Sequence, residues 1–249
     1  MRTKSIILLN ALLLLLSSCG RDDEMGEFHD SPDPLPVLQI NLNHSTDTIS
    51  RGVYVEGLLQ IPSTDISNNF DASLEIRGRG NSTWTFPKKP YQIRLEEKAS
   101  ILGMPDDRRW ILLANYSDKS MLRNELAFDL SRMSHLHWTP DSRFIELELD
   151  NDFVGTYQLT QKVEVTDERI GIGKDGYLLE VDQLNRLAPD DVYFESENYL
   201  FNIKEPALQV GDEKYEYILS YIQEAEAALL GPNFKDAQEG YQKYFDVDA

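Results

Sequence analysis

The architecture of this chain is set by residues 72–95, Ala-Ser-Leu-Glu-Ile-Arg-Gly-Arg-Gly-Asn-Ser-Thr-Trp-Thr-Phe-Pro-Lys-Lys-Pro-Tyr-Gln-Ile-Arg-Leu. Apolar and polar residues alternate over residues 72–77 and again over residues 88–95, which is the period of a β-strand with one buried face. The glycine-containing, basic segment of residues 77–84 separates the two alternating runs. We therefore predict two strands joined by a basic turn.

This stretch also concentrates positive charge. The charged residues between positions 75 and 95 are Glu75, Arg77, Arg79, Lys88, Lys89 and Arg94, five basic against one acidic. We call the five basic residues the basic island. Such an island either pairs with acidic neighbours or binds an anion, and a row of exposed strand lysines and arginines is the structural alternative.

Strand patterns continue on both sides of this stretch. Five more strands are predicted, at residues 37–42, 52–61, 110–114, 144–149 and 153–159. Residues 169–172 and 177–181 predict a second hairpin with its turn at Asp175-Gly176. Strands dominate early and helices late, and this order indicates an α+β fold.

Two helices are predicted. The first covers residues 115–133, where Ser117 and Asp118 can accept hydrogen bonds from the free amides at its start. Its apolar residues Leu122, Leu126, Leu130 and Met133 fall on one face. The second helix covers residues 213–230 and is stopped by Gly231-Pro232.

The N-terminus predicts export and a lipid anchor. Residues 1–18 have a basic start and an apolar run that is too short to span a bilayer, which are features of a signal peptide. Leu16-Ser17-Ser18-Cys19 resembles a lipobox, so we expect lipidation of Cys19, the single cysteine. Residues 19–35 are acidic and contain proline, which predicts a solvated tether before a domain at residues 36–249. The expected location is the cell envelope, on the outer membrane or surface of a Gram-negative bacterium.

The net charge of the chain limits the classes of molecule that it is expected to bind. The 249 residues carry a formal charge of −19 at pH 7. A chain this acidic argues against nucleic acid as a partner. The partner expected from the N-terminus is a membrane, through Cys19.

Five segments together resemble the spore-coat protein H (CotH) kinase family. They are Arg77-Gly-Arg-Gly-Asn-Ser-Thr-Trp84, Pro87-Lys-Lys-Pro-Tyr91, Trp110-Ile-Leu-Leu-Ala-Asn-Tyr116, Asp118-Lys-Ser-Met-Leu-Arg-Asn124 and Gly176-Tyr-Leu-Leu-Glu-Val-Asp182. The resemblance implies an atypical protein-kinase-like fold and transfer of the ATP γ-phosphoryl group to an exposed serine of a protein, with ATP and a divalent metal, Mg or Mn.

The resemblance assigns the basic island a role in holding phosphate. The expected nucleotide- or phosphate-binding residues are Arg77, Arg79, Asn81, Ser82, Lys88 and Lys89, with Lys89 as the phosphate-contacting lysine. Gly78 and Gly80 would let backbone amides approach phosphate oxygens. Four residues at the corner between strand and helix are expected to support the phosphate-facing strand: Asn115, Asp118, Arg123 and Asn124. The alternative is that these residues form a helix-capping network.

The sequence departs from the family in its C-terminal half. No Trp-Asp-Phe-Asp-like segment is found, so no metal ligand is assigned, and the catalytic residues are expected beyond Ala249. The predicted fold is therefore a complete β-rich N-terminal lobe and a second helical lobe only begun, in a C-terminally truncated chain that is inactive alone. The alternative function is a non-catalytic scaffold or binding lipoprotein of the cell surface, for example one that binds anionic glycans.

Overall fold

The computed structural model describes residues 34–43, 49–63 and 69–246. The chain divides into two units, residues 1–35 and residues 36–249. The predicted signal peptide, Cys19 and most of the predicted tether lie outside the described residues. In the part of the chain that is described, no helix is both long and apolar enough to span a membrane.

Seven strands form a closed barrel. Their bounds are β1 Val37–Leu42, β2 Val55–Ile61, β3 Phe70–Gly78, β4 Tyr91–Ala99, β5 Asp107–Leu113, β6 Ser142–Leu149 and β7 Asp152–Gln161. Their order around the barrel is β1-β2-β3-β4-β5-β7-β6. All neighbours are antiparallel except β1 and β6, whose parallel pairing closes the barrel.

Alternate residues of each strand fill the barrel. Ile76, Ile93 and Trp110 lie side by side on β3, β4 and β5 and are fully buried. Their strand neighbours point outward because side chains of a strand alternate between its faces. The outward row therefore contains Arg77 and Gln92, and it gives the outer face of β3, β4 and β5 its polar and basic character.

A smaller sheet follows the barrel in the chain. It contains β8 Leu178–Asp182, β9 Val192–Glu195 and β10 Leu200–Glu205 in the order β8-β10-β9. A long helix, which we number α2 (Glu213–Leu230), packs on one face of this sheet. Tyr215 and Ile218 of the helix pack with Phe194 and Ile203 of the strands. The predicted helix at residues 213–230 is thus confirmed.

The first helix, α1 (Arg123–Met133), is shorter than predicted. Residues 115–122 are a turn region, because Asn115 and Met121 adopt positive φ angles of 48° and 60° that a helix excludes. The apolar face of α1 is exposed, and none of its residues is buried. The polar face contacts the barrel instead, through Glu125, which accepts a hydrogen bond from Gln158 Nε2 at 2.8 Å.

The predicted α+β, two-lobed kinase-like fold is wrong. The chain is mostly β, with a closed seven-stranded barrel, a second sheet and two α-helices among the described residues. Two strand pairings explain why the sequence patterns gave the wrong fold class and the wrong second hairpin. β1 pairs with β6 more than 100 residues away, which no local pattern reveals. β8 pairs with β10 rather than with residues 169–172, which form no strand.

Candidate functional site

Two cavities flank Arg79. The smaller one has a volume of about 320 Å³ and the larger one about 730 Å³, and Arg79 lines both. The smaller cavity contains six of the residues predicted from the sequence, namely Arg79, Lys88, Asn115, Asp118, Arg123 and Asn124. Residues from the basic island and from the strand–helix corner therefore meet at one place, although up to 45 positions separate them in the chain.

The glycines of the basic turn are needed for its shape. A Cβ on Gly78 would lie 2.3 Å from the ring of Trp84, so the indole packs directly on the backbone of Gly78. Gly80 has a φ of +82°, a conformation that favours glycine. The carbonyl oxygen of Gly80 accepts a hydrogen bond of 3.1 Å from Arg51 Nη1. These contacts fix the turn at the edge of the smaller cavity.

Arg79 is a partly desolvated cation. Burial, and to a lesser degree the neighbouring Arg77, lowers the pKa of Arg79, while Glu180 opposes this shift. The positive charge of Arg79 is therefore only partly balanced by its surroundings. An anion in either cavity would relieve this imbalance.

The two lysines of the island have different roles. Lys88 lines the smaller cavity, donates a hydrogen bond to the carbonyl oxygen of Thr156, and lies 4.4 Å from the ring centroid of Tyr157. Burial lowers the pKa of Lys88. Lys89 instead donates to the carbonyl oxygen of Trp84 at 2.8 Å and lines neither cavity. The structure therefore brings Lys88, rather than Lys89, next to Arg79.

The other predicted phosphate-binding residues lie outside both cavities. Arg77 stacks on Tyr54, with its guanidinium carbon 4.8 Å from the ring centroid. Asn81 and Ser82 are exposed at the start of the short 3-10 turn Ser82–Thr85. Asn81 Oδ1 lies 3.5 Å from Arg51 Nη1. These three residues surround the turn but do not face the space beside Arg79.

The strand–helix corner is held by a chain of side-chain hydrogen bonds. Asn124 Nδ2 donates to Asn115 Oδ1 at 2.9 Å, and Asn115 Nδ2 donates to Gln158 Oε1 at 3.0 Å. Gln158 is fully buried and in turn donates to Glu125. Glu125 also accepts from Ser142 Oγ, and its Oε1 lies 3.4 Å from Arg132 Nη1. The network fixes both asparagines in the wall of the smaller cavity.

Asp118 caps the turn before α1. Its Oδ2 accepts a hydrogen bond of 2.9 Å from the amide of Arg123, and its Oδ1 accepts one of 2.7 Å from Ser120 Oγ. The backbone amide of Arg123, followed by Ser120, lowers the pKa of Asp118. The side chain of Arg123 is 82% exposed and lies 3.7 Å from Asp118 Oδ1. The capping interpretation of Asp118 thus accounts for its contacts.

An aromatic pair completes the smaller cavity. The rings of Phe86 and Tyr116 have centroids 5.5 Å apart and planes inclined by 33°. Both residues line the cavity, and Tyr116 is 49% exposed. The cavity thus combines cations, amides and aromatic faces.

The larger cavity contains charged residues that the sequence interpretation did not select. It lies between the outer face of the barrel and the smaller sheet. The charged residues that line it besides Arg79 are Arg109, Lys162, Glu164, Glu180, Lys204 and Glu205. Glu180 lies in one of the segments that resemble the CotH kinase family, but the others come from β5, β10 and the segment after β7 and had no local signal.

The described residues do not fit a metal ion. Among residues 34–43, 49–63 and 69–246, no group of three or more His, Cys, Asp or Glu side chains is arranged to hold one. Asp118 is the carboxylate of the smaller cavity, and its oxygens already accept hydrogen bonds from Ser120 and Arg123.

Comparisons with known proteins give the family. A family model described as CotH kinase protein matches residues 76–249, which is more than half of the chain. The match begins in β3, immediately before the basic turn, and includes both cavities. A search of curated proteins returned no match. The chain belongs to the CotH kinase family.

Proposed function

We propose that this chain binds ATP and takes part in phosphoryl transfer to serine side chains of cell-envelope or surface proteins. The observation that carries the proposal is the meeting of Arg79, Lys88 and the turn at Gly80 in one cavity of about 320 Å³. A volume of roughly 300–1,000 Å³ is usual for small-molecule sites. Membership of the CotH kinase family supports ATP as the ligand.

The smaller cavity offers cations to the phosphate groups of ATP and aromatic faces to its base. Arg79 and Lys88 supply two partly desolvated cations, which interact with phosphate more strongly than exposed ones do. Asn124 offers an amide group that the network to Gln158 holds in place. The faces of Phe86 and Tyr116 offer a surface on which a nucleobase can stack. We derive no step through a metal ion, because the described residues do not fit one.

The decisive experiment is ATP binding by the full chain and by Arg79→Gln, measured by equilibrium dialysis with labelled ATP. A hydrogen bond to a charged group contributes about 1.5–3 kcal/mol, so the variant should bind ATP roughly 10- to 100-fold more weakly. Arg186→Gln is the matched control, because Arg186 is exposed and lies outside both cavities. Equal ATP binding by wild type and Arg79→Gln would rule out the proposed site.

A competition arm separates nucleotide binding from glycan binding. A sulfated oligosaccharide should not displace ATP at equal concentration if the smaller cavity is shaped for nucleotide. Displacement of ATP by the oligosaccharide would favour a non-catalytic surface binding protein.

A further inference from the structure

The larger cavity is lined on one side by two cations that belong to a partly buried ion cluster. The cluster consists of Asp107, Arg109, Lys162, Glu164 and Arg169. Its centre is Arg169, whose side chain is 0% exposed. With three cations and two carboxylates, the cluster carries a net charge of +1 inside a chain of −19.

Arg169 ties the cluster to the backbone. Its Nη1 donates to the carbonyl oxygen of Lys162 at 2.9 Å, and its Nη2 donates to the carbonyl oxygen of Arg109 at 2.6 Å. The Nε of Arg169 lies 3.2 Å from Asp107 Oδ2, and its Nη1 also donates to Glu164 Oε1. The two residues that carry exposed cations are therefore fixed at their main chains by one buried guanidinium.

Glu164 fixes the same two cations at their charged ends. Its Oε2 accepts from Arg109 Nη1 at 2.7 Å and from Lys162 Nζ at 3.1 Å. The side chain of Glu164 is only 10% exposed, whereas those of Arg109 and Lys162 are 47% and 32% exposed. One carboxylate thus draws together two cations whose outer sides remain open to the cavity that both residues line.

A third donor lies in the same wall. Gln161 lines the larger cavity and is 3% exposed. Its Oε1 accepts a hydrogen bond from the amide of Asp141, but its buried Nε2 has no hydrogen-bond partner among the described residues. A buried amide nitrogen without a partner is costly, and an acceptor oxygen of a ligand would satisfy it.

We propose that Arg109, Lys162 and Gln161 form a second anion-binding group in the larger cavity, kept in position by Glu164 and Arg169. The ligand it takes is a carboxylate or phosphate group, since both present several acceptor oxygens to convergent donors. This site goes beyond the proposed function, which places phosphate beside Arg79 and Lys88. The anion comes either from the nucleotide or from an acidic segment of the acceptor protein.

The test measures binding of two probes, ATP and a hexaglutamate peptide, to the full chain. In the double variant Arg109→Gln/Lys162→Gln, at least one probe should bind ten-fold or more weakly. Weaker binding of ATP alone assigns the anion to the nucleotide, and weaker binding of hexaglutamate alone assigns it to the acceptor. Binding of both probes within two-fold of wild type overturns the second site. The single variant Lys162→Gln is measured alongside, so that the result does not depend on folding of the double variant. Lys98→Gln is the control, because Lys98 is an exposed residue of β4.

The same assay tests the positioning role of Glu164. Glu164→Gln removes one negative charge from the wall, so a purely electrostatic role predicts tighter anion binding. A positioning role predicts weaker binding, because Arg109 and Lys162 lose their common partner. Tighter binding by Glu164→Gln overturns the positioning role. Lys88 lines the smaller cavity and not the larger one, so the variant Lys88→Gln reports on ATP binding in the smaller cavity. Failure of the second site and failure of the proposed ATP site therefore give different results.

Discussion

Removing the buried guanidinium of Arg169 should destabilise the fold more than any other change to the charged residues discussed above. Arg169→Met keeps a long side chain in a fully buried position but leaves the carboxylates of Asp107 and Glu164 without their shared cation. Removing one partner of a buried ion pair costs about 3–5 kcal/mol. Glu164 keeps Arg109 and Lys162, and Asp107 keeps Thr166, so the lower end of about 3 kcal/mol applies.

The measurement is urea unfolding followed by tryptophan fluorescence. Trp110 is a suitable reporter, because the Arg169 guanidinium lies 5.7 Å from its ring and the indole is fully buried in the barrel. In a parallel thermal unfolding experiment, a loss of about 3 kcal/mol should lower the Tm of a domain of this size by roughly 6–12 °C. The exposed control Arg186→Met should change stability by less than about 0.5 kcal/mol. A loss below about 1 kcal/mol for Arg169→Met would refute the structural role assigned to the cluster.

Three further predictions concern the turn, the cap and the anchor. Gly78→Ala should lower the urea midpoint by overpacking, since its Cβ would lie 2.3 Å from the Trp84 ring, and Gly52→Ala, where no atom lies within 4 Å, is the control. The pKa of Asp118 is lowered in the folded state, so its stabilising contribution is present at neutral pH and lost as pH falls through that lowered value. Asp118→Ala should accordingly be less stable than wild type at pH 7 and equal to it in strong acid, and an unchanged difference across a pH series of unfolding curves would contradict this. Cys19→Ser should move the protein from detergent-soluble membrane fractions to the soluble fraction or stop its processing, whereas unaltered fractionation would count against lipidation.

Helix α1 shows how far an amphipathic pattern can mislead. Leu122, Leu126 and Leu130 lie on one face as the spacing predicted, yet each is more than 50% exposed. The opposite face is held to the barrel by the hydrogen bonds that Glu125 accepts from Ser142 and Gln158. Period 3.6 identifies the two faces of a helix, but only the partners at hand decide which face is turned inward.

The sequence predicted part of the arrangement of the basic island. Its charge and its glycines were visible in the sequence, and Arg79 and Lys88 do line one cavity with the residues of the strand–helix corner. The sequence could not distinguish Lys88 from Lys89 as the phosphate-contacting lysine, because two adjacent lysines differ only in the partners that the fold gives them. Lys89 binds the carbonyl oxygen of Trp84, and this contact depends on the fold of the turn.

The sequence by itself determined the local elements of this protein. Alternation with period two marked most of the barrel strands, and a continuous apolar run at residues 110–114 marked β5. The apolar stripe of residues 213–230 marked α2, because backbone geometry imposes a period of 3.6 on the buried face of a helix. The tertiary structure alone decided barrel closure through β1 and β6, the outward apolar face of α1, and the larger cavity with Arg109 and Lys162. Those features arise from contacts between residues far apart in the chain, where burial and hydrogen-bond satisfaction select one pairing among many that the local patterns allow.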